Sequence, residues 1–216
     1  NALVTLDPPV GSESEAGIEP LLRERGIVPR KDMILDAQNT SGRDASAIIS
    51  LGMPDHPVTA ARQAVVCILP QARSLDIRPA PEGAAACTTR AILACSKESF
   101  SQVRDDTGKV RPGRKGQMTV AASSERSGGG RLIVVGDTDF LGNIGITQYQ
   151  NQSFALSAVC WLSGKSYAVP ITEREDADRG FNLPGWKKRL LWWAALVALP
   201  QAWLLAGALV WWLRRQ

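Results

Sequence analysis

His56, in Asp55-His56-Pro57, is the only imidazole of the chain. Any serine–histidine or cysteine–histidine device must use it, because a hydroxyl or thiol needs an adjacent base to act as a nucleophile near neutral pH. No Gly-x-Ser-x-Gly elbow is present to lift such a serine onto a strand-to-helix turn. The position before Pro57 is biased to extended or turn backbone, so His56 is expected to close a loop or to contribute to a ligand site. The alternative is a hydrolase or amidotransferase-like enzyme built on it.

A second group follows the apolar run 132–135: Gly136-Asp137-Thr138-Asp139-Phe140. Two carboxylates two residues apart suit a hard cation with oxygen ligands, or they cap a turn and the start of a helix. Capping is the expectation. Asn143 and Asn151 add polar groups just downstream, so the candidate ligand-binding set is His56, Asp137, Asp139, Asn143 and Asn151. Cys67, Cys87, Cys95 and Cys160 form no Cys-x-x-Cys pair, and three of them lie in apolar runs, as small buried thiols do. With one histidine and no clustered thiols, no metal site is expected. Neither a P-loop nor a Gly-x-Gly-x-x-Gly fingerprint occurs, so no cofactor is expected and the chain is not expected to be its own ATPase.

The elements that must position these groups read as alternating strands and helices. Short apolar runs at 2–6, 33–35, 48–49, 65–69, 91–94, 118–122 and 132–135 suggest strands. Residues 18–25 and 153–162 have helical spacing. Residues 104–116, rich in charge, glycine and proline, read as an exposed loop or a β-hairpin connection. The alternation favours an α/β layer fold with a mainly parallel sheet flanked by helices, of Rossmann or flavodoxin type, over residues 1–170. The chain opens on Asn1 inside an apolar run, which suggests a domain lacking its front part.

Net charge is +4, but five of the 25 basic residues (Lys187, Lys188, Arg189, Arg214, Arg215) lie beyond position 185, where there is no acid. The remainder carries 20 basic against 21 acidic residues, which gives no electrostatic case for nucleic acid. Six of seven tryptophans also lie in that tail. Residues 190–213 carry no charge over 24 positions. As one helix they would reach roughly 36 Å, enough for a hydrocarbon core of about 30 Å. Trp192-Trp193 and Trp211-Trp212 would then form two aromatic belts, with Pro200 and Gly207 tolerated between them and Arg214-Arg215 beyond the far face. The expected organisation is an α/β body at 1–170, a polar linker at 171–189, a transmembrane helix at 190–213 and a short tail at 214–216.

Several of these segments, in this order, resemble the extracytoplasmic auxiliary subunits of gliding-motility-type ABC transporters. They are Leu6-Asp7-Pro8-Pro9, Leu21-Leu22 with Gly26-Ile27, and Asp55-His56-Pro57-Val58-Thr59. The series continues with an apolar strand ending in Pro70, Val134-Val135-Gly136-Asp137-Thr138-Asp139-Phe140, and Asn151-Gln152-Ser153-Phe154 leading to Trp161-Leu162. The resemblance implies an α/β domain outside the cytoplasm, of which this chain would be the C-terminal portion. Its partners would be an ABC-2-type permease and a separate ATPase. The domain is similar to a sugar-binding or glutamine-amidotransferase-like fold, and no catalytic residue carries over. The implied role is a non-catalytic, membrane-anchored accessory subunit of an export system in the bacterial inner membrane. Its body would be periplasmic or extracellular and would bind a substrate or partner there. A tail-anchored cytoplasmic protein is the remaining rival.

Overall fold

The structure is a computed structural model; it describes residues 1–9, 17–40, 44–60, 65–79, 81, 85–104, 107–164, 189–190 and 192–215. Its contacts divide the chain into two units, Asn1–Pro170 and Ile171–Gln216.

In the first unit the carboxyl-terminal strands set the pattern. Strand β11 (Arg131–Val135) runs parallel to β1 (Ala2–Thr5), with Leu3 opposite Ile133 and Val4 opposite Val134. On its other side β11 pairs antiparallel with β10 (Thr119–Arg126), which pairs antiparallel with β7 (Cys87–Ala94). The sheet continues through β4 (Ala47–Gly52) to β5 (Val66–Pro70), both antiparallel, and short strands β2 (Ile27–Pro29) and β6 (Leu75–Ile77) attach beside β10. A second sheet holds β3 (Met33–Leu35), β8 (Phe100–Arg104) and β9 (Val110–Lys115).

The expected mainly parallel, Rossmann-like sheet is therefore overturned. The β1–β11 pair is parallel and every other described pairing is antiparallel. Connection length is the physical reason, since a parallel crossover needs a dozen residues or more. Only Ser127–Gly130 join β10 to β11, and Gly128, Gly129 and Gly130 all have positive φ, the backbone a tight reversal requires. Residues 104–116 hold more than an exposed connection: Val110–Lys115 form β9, which pairs antiparallel with β8, so the hairpin reading holds. All six residues of β9 are exposed, so no apolar alternation marked it.

Two helices cover opposite faces of the larger sheet. Along β11, Ile133 and Val135 pack into one core with Phe154, Ala158 and Leu162 of α2 (Asn151–Leu162). Leu132 and Val134 pack into the other with Leu22 of α1 (Glu19–Glu24). Phe154, Ala158 and Leu162 recur at the four-residue interval that keeps one helix face on the sheet. Phe154 is buried and meets the Phe140 ring with centroids 6.0 Å apart.

In the second unit the expected span is overturned. No helix of the described residues is long and apolar enough to cross a membrane. The apolar run divides into a π-helical stretch, Ala194–Ala198, and helix α3, Leu199–Leu213. At 1.5 Å per residue the fifteen residues of α3 reach about 22 Å, short of a hydrocarbon core of about 30 Å. Pro200 stands at the junction; it has no N–H for the i→i−4 ladder and its ring clashes with the preceding turn, which favours a wider register before it. Trp192-Trp193 stand just before the π-helical stretch and Trp211-Trp212 near the end of α3. Arg215 stacks on the Trp211 ring at 4.5 Å, and a Cβ at Gly207 would meet nothing within 4 Å. The expected placement as a single visible span in the bacterial inner membrane is corrected with it. Residues 171–188 of the expected linker lie outside the described residues.

Candidate functional site

The turn after β4 places His56. Its carbonyl accepts the N–H groups of Thr59 (2.9 Å) and Ala60 (2.7 Å), which folds the loop back over the sheet. The ring is buried against the Trp161 indole, centroids 5.3 Å apart. Its Nε2 lies 2.8 Å from the hydroxyl of Ser123, a buried residue of β10. Sequence reasoning missed this serine, which sits in an apolar strand with no motif around it.

A buried serine–histidine pair invites the hydrolase reading, so the position of the proton matters. The Val58 N–H donates to Nδ1 at 3.2 Å, so Nδ1 carries a lone pair and the proton of the neutral ring resides on Nε2. Nε2 then donates to Ser123, whose hydroxyl donates onward to the Arg90 carbonyl at 3.5 Å. A general base needs the opposite arrangement, a lone pair facing the nucleophile. Burial lowers the His56 pKa to about 4, with a further push from the Arg90 charge, so the ring is neutral at ordinary pH.

Asp137 and Asp139 lie beyond the carboxyl end of the parallel pair, where β1 and β11 finish side by side. Asp7, just past β1, accepts the Thr138 N–H on Oδ1 at 2.7 Å and ties the two strand ends together. Asp137 accepts the Asp139 N–H at 2.9 Å, the expected capping role, while its other oxygen is buried with no hydrogen-bond partner. Burial raises its pKa to about 7, and the carboxylates of Asp139 and Asp7 add to the rise. Asp139 is exposed. Among the described residues no three His, Cys, Asp or Glu side chains come together to hold a metal ion.

The remaining candidates separate. Asn143 is exposed in the loop after the 3-10 turn Asp139–Leu141. Asn151 is fully buried at the start of α2, bonded to both backbone groups of Ile68 and to the Gly145 carbonyl. His56 lies under α2 and the Asp137 edge at the strand ends, so the five candidates do not form one constellation. The four cysteines are free; burial pushes the Cys67 thiol up to about 12 and raises that of Cys95 as well.

An open cleft of about 120 Å³ lies elsewhere, between the residues that follow β1, the start of β3, the residue after β5, and the β8–β9 hairpin. Lys31, Asp32, Gln71, Gln102 and Arg104 supply its polar lining. No sequence signal marked it, because four separated chain segments each contribute only one to three residues.

No protein-family model matches the chain, and no curated protein is similar enough to count as a relative. Among solved structures it is similar to the mmIFT52 N-terminal domain, with a TM-score of 0.55 and 18% identity over 74% of this chain and 64% of that one. The chain thus spans less than two thirds of that structure's length, and at this identity the likeness shows a shared fold alone.

Proposed function

We propose that residues 1–170 form a non-catalytic recognition domain, acting as an accessory subunit of an ABC-2-type export system and binding a substrate or partner for it. One observation carries the non-catalytic half: the Val58 N–H occupies Nδ1 of His56, so the imidazole donates to Ser123 and has no lone pair with which to activate it. The segments that resemble the auxiliary subunits support the other half, because they carry the fold's joints. Asp7 and Asp137–Phe140 tie β1 to β11, and Asn151 ties α2 to β5. In this reading the chain contributes a binding surface, and ATP hydrolysis takes place on a separate polypeptide.

The test has two arms. A fluorophosphonate probe should leave Ser123 unlabelled in the folded chain; labelling lost in Ser123→Ala would return the hydrolase reading. Affinity-tagged chain should co-purify with an ABC-2-type permease or its ATPase from cells that express all three. Absence of both from the complex would refute the export partnership.

A further inference from the structure

We propose that the cleft between the residues after β1 and the β8–β9 hairpin is a binding site for a compact organic carboxylate of about four or five carbons. The inference goes beyond the accessory role above and stands or falls separately from it.

Size sets the first limit. An engineered cavity of about 150 Å³ holds one benzene ring, so 120 Å³ suits a group of roughly that bulk or slightly less. Larger metabolites and cofactors need clefts of about 300 Å³ upward.

Charge sets the class. Lys31 and Arg104 both line the cleft, and among the described residues neither forms an ion pair. The carboxylate in the lining, Asp32, is buried and already engaged: it accepts the Ser74 N–H at 3.0 Å and hydroxyl at 2.8 Å, with the Arg30 guanidinium 3.9 Å away. Gln71 and Gln102 add carboxamides that donate N–H bonds. Met33, Val110 and Pro8 give the apolar remainder, which suits the carbon body of an organic acid better than a bare inorganic anion.

The walls are built to hold this shape. Arg73 is fully buried and braces two of them, donating from Nε to the Arg30 carbonyl (2.7 Å) and from Nη1 to the Asp7 carbonyl (3.3 Å). Those carbonyls immediately precede Lys31 and Pro8, so one guanidinium fixes the spacing of opposite sides. Gln71, in a third wall, has φ +62°, left-handed backbone that glycine adopts with far less strain. A residue with a long donor side chain held in that conformation is the kind of local strain that concentrates at ligand sites.

The full chain titrated with succinate at low ionic strength, followed by amide chemical shifts, tests the site. Saturable shifts are expected at residues 31–33, 71, 102 and 104, with succinamide and inorganic phosphate at least tenfold weaker. Arg104→Gln and Lys31→Gln should each weaken succinate at least fivefold, and Gln102→Lys, adding a cation to the same lining, should tighten it. No saturable shift with succinate, phosphate binding as tightly, or affinity unchanged in the Lys31→Gln/Arg104→Gln double variant would each overturn the proposal. The labelling and co-purification experiments read none of these residues, so either conclusion can fail alone.

Discussion

Asn151 makes to Ile68 the two hydrogen bonds that a neighbouring strand would make. Its Oδ1 accepts the Ile68 N–H at 3.0 Å and its Nδ2 donates to the Ile68 carbonyl at 2.9 Å. Gln150 repeats the arrangement one pleat away, its side chain accepting the Val66 N–H at 3.0 Å and its own N–H bonding the Val66 carbonyl at 3.1 Å. β5 ends the sheet, so the start of α2 closes an edge whose backbone groups would otherwise face outward.

Asn151→Ala should therefore be costly. It strips partners from the Ile68 N–H, the Ile68 carbonyl and the Gly145 carbonyl together. At about 1–3 kcal/mol for each buried group left unsatisfied, and less than full additivity, a loss of about 3 kcal/mol or more is expected. Urea denaturation followed by tryptophan fluorescence measures it. A loss under 1 kcal/mol for Asn151→Ala would show that the edge is closed by other means.

How much of this was legible in the sequence depended on burial. Strands β11 and β10 announced themselves through apolar residues, because both faces of the sheet there are covered by helices. The parallel direction inferred from them did not hold. Direction is set by the length and backbone freedom of connections such as Ser127–Gly130, not by the composition of the strands. Strand β9 was unreadable because pairing through backbone alone leaves no trace in side-chain pattern. The tail misled for a related reason: hydropathy registers the absence of charge across 190–213 and is blind to where Pro200 interrupts the ladder. At the site, Asp137 and His56 stood out by residue type. Ser123, Arg73 and the cleft residues did not, since their roles come from positions that only the fold brings together.

The thiols should fall into two classes. Cys67 and Cys95 are buried with raised pKa values, so thiolate is scarce at both; Cys87 and Cys160 are half-buried. Reaction depends on both thiolate fraction and access. With a disulfide reagent at pH 8, two thiols of the folded chain should react in a fast phase, and the other two only after denaturant is added. Mass mapping of the labelled peptides checks the assignment, and fast labelling of Cys67 would contradict the burial described.

Gly136 offers a steric prediction at the joint between β11 and the Asp137 turn. A Cβ there would stand 2.3 Å from the Arg73 carbonyl oxygen and 3.0 Å from the Arg73 Cγ. The backbone cannot easily yield, because the Arg73 N–H donates to the Gly136 carbonyl at 2.7 Å. Gly136→Ala should cost about 1–3 kcal/mol, the usual range for overpacking a tight interior. It should also loosen the spacing that Arg73 imposes between Asp7 and Arg30. Lowered Tm together with shifted Arg30 and Asp7 amide resonances is the expected outcome; an unchanged Tm would mean that the Arg73 segment is free to move.

Two buried groups pull stability in opposite directions with pH. His56 has a folded pKa near 4, below its unfolded value of about 6.5. Its contribution is complete above pH 6.5 and is lost as pH falls toward 4. Asp137 has a folded pKa near 7, above the unfolded value of about 3.9. It is neutral in both states below pH 4, and the cost of ionising it in the interior grows until pH passes 7. Over pH 4 to 6.5 the two effects oppose each other and flatten the profile of the parent chain. Asp137→Asn removes one of them. The stability difference between variant and parent should be small at pH 4 and should grow in favour of the variant to at most about 4 kcal/mol at pH 8. Carboxylates held low, such as Asp36 and Asp76, contribute equally to both proteins and cancel in the difference. A difference that stays constant from pH 4 to pH 8 would mean that the unpartnered oxygen of Asp137 is not ionising in the interior.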